Sequence, residues 1–338
     1  MKLPAAAFFL KKPEFATTSL ASVYGSGRRE QLETLCQLYP HVLAPTNLDE
    51  HAEAASKVEV LFTTWGMPAL TEADFARMPN LKAIFYAAGS VRHFARPVLE
   101  RGIVVMSSWA ANAVPVAEFT VGQILLGSKR AWLHAQYLRS QKQAAWRHLP
   151  LPGGYESTVG LISLGQIGRL VCEYLKPFDF KVIAHDPFIK PEQARELGVE
   201  LVDLPALFQT ADIVSLHTPW LKETEGLITG AHLASMKPNS TFINTSRGAV
   251  VKEDEMLAVL QQRSDLTAVI DVTYPKEPPL EDSPFYTLPN VMLTPHVAGS
   301  SGPEVVRMAD YAIAEFKRWR DGQPMKYSVS LKLLETMA

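Results

Sequence analysis

The sequence predicts an α/β protein of two domains, each a doubly wound parallel sheet with helices on both faces. Short apolar runs alternate with helix-length segments along most of the chain, the pattern of parallel strands joined by crossover helices. At 338 residues, 47% hydrophobic and 20% charged, the chain is long for a single hydrophobic core. In its second half each apolar run ends in a polar residue of a functional type, at the strand end where open parallel sheets bind ligands.

In chain order, AAAFFL, HVLAP, VEVLFTTW, LKAIFYAA and IVVMSS are the apolar runs of the first domain. Between them lie the helix-like GRREQLETLCQLY, LDEHAEAASK, TEADFARM and FARPVLERG. The opening MKLPAAAFFLKK carries too short an apolar run for a secretory leader, lysines follow it, and no small-residue cleavage site comes next, so residues 5–10 read as a buried first strand. Within Ala110 to Trp146 apolar residues recur at helical spacing from Val116 through Leu138, without Gly or Pro after Gly127, which reads as one long helix crossing between domains. The Pro- and Gly-rich HLPLPGGYES then marks a boundary. Six runs follow: TVGLISLG, KVIAHDP, ADIVSLHTP, STFINTSRG, LTAVIDVTY and NVMLTPHVAG. Finally, Val305, Met308, Ala312, Phe316 and Trp319 share one helical face and read as a second crossover that returns the tail to the first domain. The expected division is 1–110 and 301–338 for a discontinuous domain and 111–300 for an inserted one.

Charge and cysteine usage narrow the function classes. A formal net charge of −2 attracts no polyanion, and no Lys/Arg run exceeds two residues, which argues against nucleic acid and anionic membrane as partners. Cys36 and Cys172 lie far apart without metal-ligand spacing, as expected of unpaired thiols in a reducing compartment. No apolar run approaches membrane-spanning length, so a cytoplasmic location is expected and no metal is.

The chemistry starts at TVGLISLGQIGRLVCEYL and KVIAHDP, which read as strand, turn, helix, strand. Such a turn brings backbone close to a pyrophosphate, aims a helix N-terminus at it, and places an acid where it accepts from a ribose hydroxyl. Gly165, Gly168 and Asp186 suit these three tasks, although Ser163 stands where the usual GxGxxG has its first glycine. On the same sheet edge, Arg247 offers a planar cationic fork for a carboxylate. His296 can give or take a proton near neutral pH, and Glu277 can bond its ring and fix its tautomer. Singly, these are an ion-pair arginine, a loop-capping histidine and a solvated glutamate. Together, beside a nicotinamide, they are the equipment for interconverting a 2-oxo and a 2-hydroxy acid.

The chain resembles the D-isomer-specific 2-hydroxyacid dehydrogenases, which are NAD-dependent. TVGLISLGQIGR, SLHTPWLKETEGLI, MKPNSTFINTSRGAVV, IDVTYPKEPP and LPNVMLTPHVAGS occur in that family's order and spacing, and VAEFTVGQILL is similar to its first interdomain helix. The resemblance implies a flavodoxin-like, discontinuous substrate domain, an inserted Rossmann NAD-binding domain, a cleft between them and a homodimer. It implies that Arg247 binds the substrate carboxylate, Glu277 orients the histidine and His296 is the acid/base. Gln166 and Ile167 would lie under the pyrophosphate, and Asp186 would select NAD over NADP. Thr218, Thr245, Asp271 and Gly299 would line the cofactor, and backbone N–H groups of Ala88, Gly89 and Ser90 would help to hold the substrate.

Besides Ser163, two departures stand out: FYAAGSVRHF lacks the family's Gly-x-Asp element, and Glu277 falls six residues after Asp271 instead of five, read as a one-residue insertion in the loop. The implied reaction is hydride transfer between NAD(H) and a small acid such as glyoxylate, hydroxypyruvate or pyruvate. The alternative is an NAD(H)-sensing, corepressor-like regulatory protein. Trp65 and Tyr86 could meet substrate but are expected in the core.

Overall fold

Parallel strands buried on both faces organise the computed structural model, which describes residues 3–141 and 150–337. Two units emerge, one made of Met1–Asn112 with Ser300–Ala338, the other of Ala113–Gly299. In the first, strands β1 (Ala5–Phe8), β2 (Gln37–Leu38), β3 (Val60–Thr63), β4 (Ala83–Tyr86), β5 (Val104–Ser107) and β13 (Ser328–Val329) lie in the order β13-β5-β4-β3-β1-β2. All pair in parallel except β13, which runs antiparallel to β5. The five parallel strands thus follow the order 2-1-3-4-5 of a flavodoxin-like sheet.

The expected strand over HVLAP is displaced. The helix Arg28–Leu35 ends in extended backbone at Cys36, so Gln37 and Tyr39 donate to Pro4 and Ala6 and form β2. The ladder stops at Tyr39, and Leu43 keeps only an isolated bridge to Phe9. Of the two aromatics expected in the core, Tyr86 is there, edge-on to Phe94 at 5.2 Å, whereas Trp65 is 40% exposed.

The centre of this unit is aromatic. Phe62 lies 5.6 Å from Phe85 and 5.1 Å from Phe316, which the helix Val306–Arg320 brings down with Met308 and Ala312. Burying each such ring contributes about 2–3 kcal/mol. The same helix carries Glu315, 1% exposed, whose carboxylate accepts from the backbone N–H of Lys326 at 2.7 Å and of Tyr327 at 3.0 Å and pairs with Arg318 Nε at 3.2 Å. That carboxylate aligns the chain that becomes β13.

The second unit holds β6 (Thr158–Ile162), β7 (Lys181–His185), β8 (Glu200–Leu201), β9 (Ile213–Leu216), β10 (Thr241–Asn244), β11 (Thr267–Ile270) and β12 (Val291–Leu293). Their order, β12-β11-β10-β9-β6-β7-β8, is parallel throughout and reverses direction at β6, as in a Rossmann sheet. Six strands fall in the six expected runs; the two-residue β8 has no apolar run to announce it.

The single long helix expected over 110–146 is two, Trp109–Ser128 and Ala131–Gln141, and residues 142–146 lie outside the described ones. The break is made by Arg130, in left-handed backbone at φ 46°. Its buried guanidinium donates to the Pro150 carbonyl, Asn239 Oδ1 and the Asp265 carbonyl, at 3.1, 2.6 and 2.7 Å. Three hydrogen bonds to a cation outweigh the about 1–2 kcal/mol cost of that backbone.

His217, at the end of β9, is buried with Nε2 on Ser215 Oγ at 3.1 Å, and burial pushes its pKa down from 6.5 to about 4.

Two predictions follow from these buried groups. Glu315→Ala strands two backbone N–H groups and an arginine, and urea unfolding should show a loss of about 3 kcal/mol, with Glu315→Gln losing less. Because His217 is harder to protonate folded than unfolded, its contribution is complete above pH 6.5 and is lost as pH falls through about 4. Unfolding free energies from urea titrations across that window should therefore fall more steeply in the wild type than in His217→Gln, by about 3 kcal/mol in total.

Candidate functional site

The glycine turn sits between β6 and the helix Gln166–Leu175, whose buried face is Gly168, Val171, Cys172 and Leu175. Gly165 caps that helix without any side-chain bond, so the first-turn N–H groups, those of Gln166 and Ile167 among them, are left for a ligand. A Cβ at Gly165 would meet nothing within 4 Å, whereas one at Gly168 would lie 2.3 Å from the Ser163 carbonyl oxygen. The turn is therefore open outward and tight inward, the shape that admits a pyrophosphate. Ser163 adopts φ 78°, so the turn keeps the glycine-like backbone despite the side chain, at a cost of about 1–2 kcal/mol. Asp186, just past β7, accepts from Leu164 N–H through Oδ2 at 2.7 Å and from Phe188 N–H through Oδ1 at 2.8 Å. It ties the turn to the neighbouring strand end. These residues fit a dinucleotide.

Three strand ends away, Glu277 and His296 meet. His296 Nδ1 and Glu277 Oε1 are 2.5 Å apart, and since an ionised carboxylate only accepts, the ring proton is assigned to Nδ1. Arg247, the residue before the 3-10 turn Gly248–Val250, uses one terminal nitrogen on the Ser246 carbonyl at 2.7 Å. Burial holds its pKa below the usual arginine range, and the charge of Glu277 opposes that shift only in part. The loop absorbs its extra residue: Thr273 N–H donates to Glu277 Oε2 at 3.3 Å and Thr273 Oγ1 to the Lys276 carbonyl at 2.7 Å.

The other expected cofactor-lining residues are mostly buried. Thr218 gives its carbonyl to Ser246 Oγ, and Thr245 Oγ1 shares a hydrogen bond with Thr120 Oγ1 at 3.1 Å. Asp271 accepts from Thr294 Oγ1 at 2.6 Å and from the N–H groups of Val297 at 2.9 Å and Ala298 at 3.0 Å. It thus holds the backbone on either side of His296. Gly299 is half-buried and closes the unit.

In the first unit, taken by itself, Ser107 Oγ donates to the carbonyls of Ala88 at 3.0 Å and Gly89 at 2.5 Å. Among the described residues, no protein group accepts from the N–H groups of Ala88, Gly89 and Ser90. Carbonyls held inward and free N–H groups are what a carboxylate needs.

Sequence reading passed over Ser246, Thr120, Thr273 and Glu253. The first three are ordinary hydroxyl residues until the fold supplies their partners. Glu253 opens the helix Glu253–Gln262 as one of three acids in its first turn, where any of them reads as complementing the helix dipole.

Residues 124–298 match the family model described as D-isomer specific 2-hydroxyacid dehydrogenase, NAD binding domain. The cofactor is therefore NAD. A D-3-phosphoglycerate dehydrogenase of Archaeoglobus fulgidus is 31% identical over 76% of this chain and 48% of its own; the chain spans about half the length of the curated relatives of that name. A glyoxylate reductase of Korarchaeum cryptofilum is 30% identical over 74% of this chain and 76% of its own. For the fold, the NAD-complexed D-isomer specific 2-hydroxyacid dehydrogenase of Lactobacillus delbrueckii ssp. bulgaricus superposes with a TM-score of 0.78 at 20% identity, over 96% of this chain and 99% of that one. With half of its length matched by the family model and the two-sheet architecture shared, this chain belongs to the D-isomer specific 2-hydroxyacid dehydrogenase family.

Proposed function

We propose that this chain is an NAD-dependent oxidoreductase that interconverts a small 2-oxo acid and the corresponding D-2-hydroxy acid. The observation that carries the reading is the bond of 2.5 Å between His296 and Glu277, on the sheet edge that also bears Arg247 and the glycine turn. With the proton of Nδ1 held by the carboxylate, Nε2 is left to give a proton to a carbonyl oxygen in reduction, or to take one from a hydroxyl in oxidation. Arg247 keeps most of its guanidinium donors for the substrate carboxylate. Within the first unit, the N–H groups of Ala88, Gly89 and Ser90 would also suit a carboxylate.

Gln166 and Ile167 would offer backbone N–H groups to the pyrophosphate, with Asp186 toward the adenosine ribose and Thr218, Thr245, Asp271 and Gly299 along the cofactor. The bound nicotinamide supplies or accepts the hydride. Asp186 supports preference for NAD, since its charge opposes a 2′-phosphate. A purely NAD(H)-sensing protein has no need of an imidazole locked by a carboxylate, and turnover separates the two readings. The relatives' names suggest glyoxylate and a phosphorylated three-carbon acid as substrates to compare.

The test follows NADH consumption with glyoxylate, hydroxypyruvate, pyruvate and 3-phosphohydroxypyruvate, repeated with NADPH. At least one acid should be reduced, faster with NADH. His296→Ala should lower kcat by about a hundred- to ten-thousandfold with NADH binding retained, and undiminished turnover would overturn the mechanism. Arg247→Lys keeps the charge but not the fork, and KM for the acid should rise about tenfold or more with little change in NADH affinity.

A further inference from the structure

The stretch between buried Asp271 and exposed Glu277 has an exposed outer part, Tyr274, Pro275 and Lys276, where the Tyr274 ring meets Trp220 edge-on at 5.4 Å but the backbone needs further contacts to set where the Glu277 side chain points. Two contacts on its inner side supply that constraint. A Cβ at Gly248 would lie 2.3 Å from the Thr273 carbonyl carbon and 2.6 Å from Tyr274 N, so the loop backbone lies flush on the turn that follows Arg247. Beside it, Glu253 Oε1 accepts the Tyr274 N–H at 2.7 Å.

Successive N–H groups of the loop are therefore held by two different carboxylates. That of Thr273 goes to Glu277, the orienting partner of His296, and that of Tyr274 goes to Glu253. Rotating the backbone at 273–274 to release one disturbs the other. Glu253 occupies this place against a penalty: burial first, then the charges of Asp254 and Glu277, push its carboxyl up to about 7, while the Tyr274 N–H pulls it back. An acid serving only the helix dipole would stay in solvent, as Asp254 does. Ionised or neutral, Glu253 offers Tyr274 an acceptor oxygen, so the anchor persists through its titration.

We propose that Glu253 is a positioning residue, which fixes the backbone at 273–274 and through it the direction in which Glu277 meets His296. Its effect on rate rests on the hydride-transfer reading above; its effect on the histidine does not.

The test has two arms. In the first, on the best 2-oxo acid of the panel, Glu253→Ala lowers kcat on the order of ten- to a hundredfold, the scale of a slightly misplaced reacting group, with KM for NADH unchanged. Glu253→Gln, which keeps an acceptor oxygen, recovers most of the loss. Added to Glu277→Ala, Glu253→Ala costs nothing more, because both act through one hydrogen bond. Wild-type kcat in Glu253→Ala, or a loss that multiplies in full on the Glu277→Ala background, overturns the proposal. Should Glu253→Ala not fold, Glu253→Met keeps the stem and removes only the acceptor. The second arm needs no substrate. The low-field proton NMR resonance of His296 Nδ1–H should be present in the wild type and Glu253→Gln, absent in Glu277→Ala, and lost or broadened in Glu253→Ala. If no acid is turned over, the function reading fails and this arm still decides: an intact resonance in Glu253→Ala, or none in the wild type, overturns the role of Glu253.

Discussion

The second unit depends on a buried negative charge. Asp271, 1% exposed at the end of β11, would be prohibitively costly as an isolated carboxylate, and it is tolerated because Thr294, Val297 and Ala298 all donate to it. Its carbonyl also accepts from His296 N–H at 3.0 Å. Four hydrogen bonds from one residue thus pin the segment that carries His296, and hold that residue at φ 54°, where an L side chain is disfavoured. The imidazole is aimed by the backbone beneath it before Glu277 reaches its ring.

The same arrangement recurs along the strand ends: a group with a chemical use is held in place by a hydrogen-bonding neighbour. Asp186 secures the glycine turn, Ser246 bonds the carbonyl of Thr218 and offers its own to Arg247, and Asn244 bonds the Arg247 carbonyl. In the first unit Ser107 turns the Ala88 and Gly89 carbonyls inward and frees the N–H groups on the other side of the peptide. Parallel strands make this economical, since all of their carboxyl ends lie on one edge and each needs only a short loop to present a side chain there.

Much of this was legible beforehand. The apolar runs located six strands of the second unit because a strand buried on both faces must be apolar along its length. Polar residues at their ends marked Arg247, Glu277 and His296 for the same reason. The misses share a cause too. The break at Arg130 and the displaced β2 depend on partners far along the chain, Asn239 and Asp265 in one case and Pro4 and Ala6 in the other. Local periodicity carries no record of those partners.

The pattern of apolar runs and the glycines that allow close backbone approach determined, without any coordinates, that this chain forms two parallel sheets with a dinucleotide turn in the second. Whether the lengthened loop brings Glu277 to the histidine was decided only in three dimensions. Lys276 and Glu277 are adjacent in sequence, and it is the seating of the loop on Gly248 and Glu253 that turns the glutamate toward His296. Hydrophobic burial is written residue by residue and survives being read in one dimension. Hydrogen-bond geometry depends on the distance between groups that the fold alone brings together.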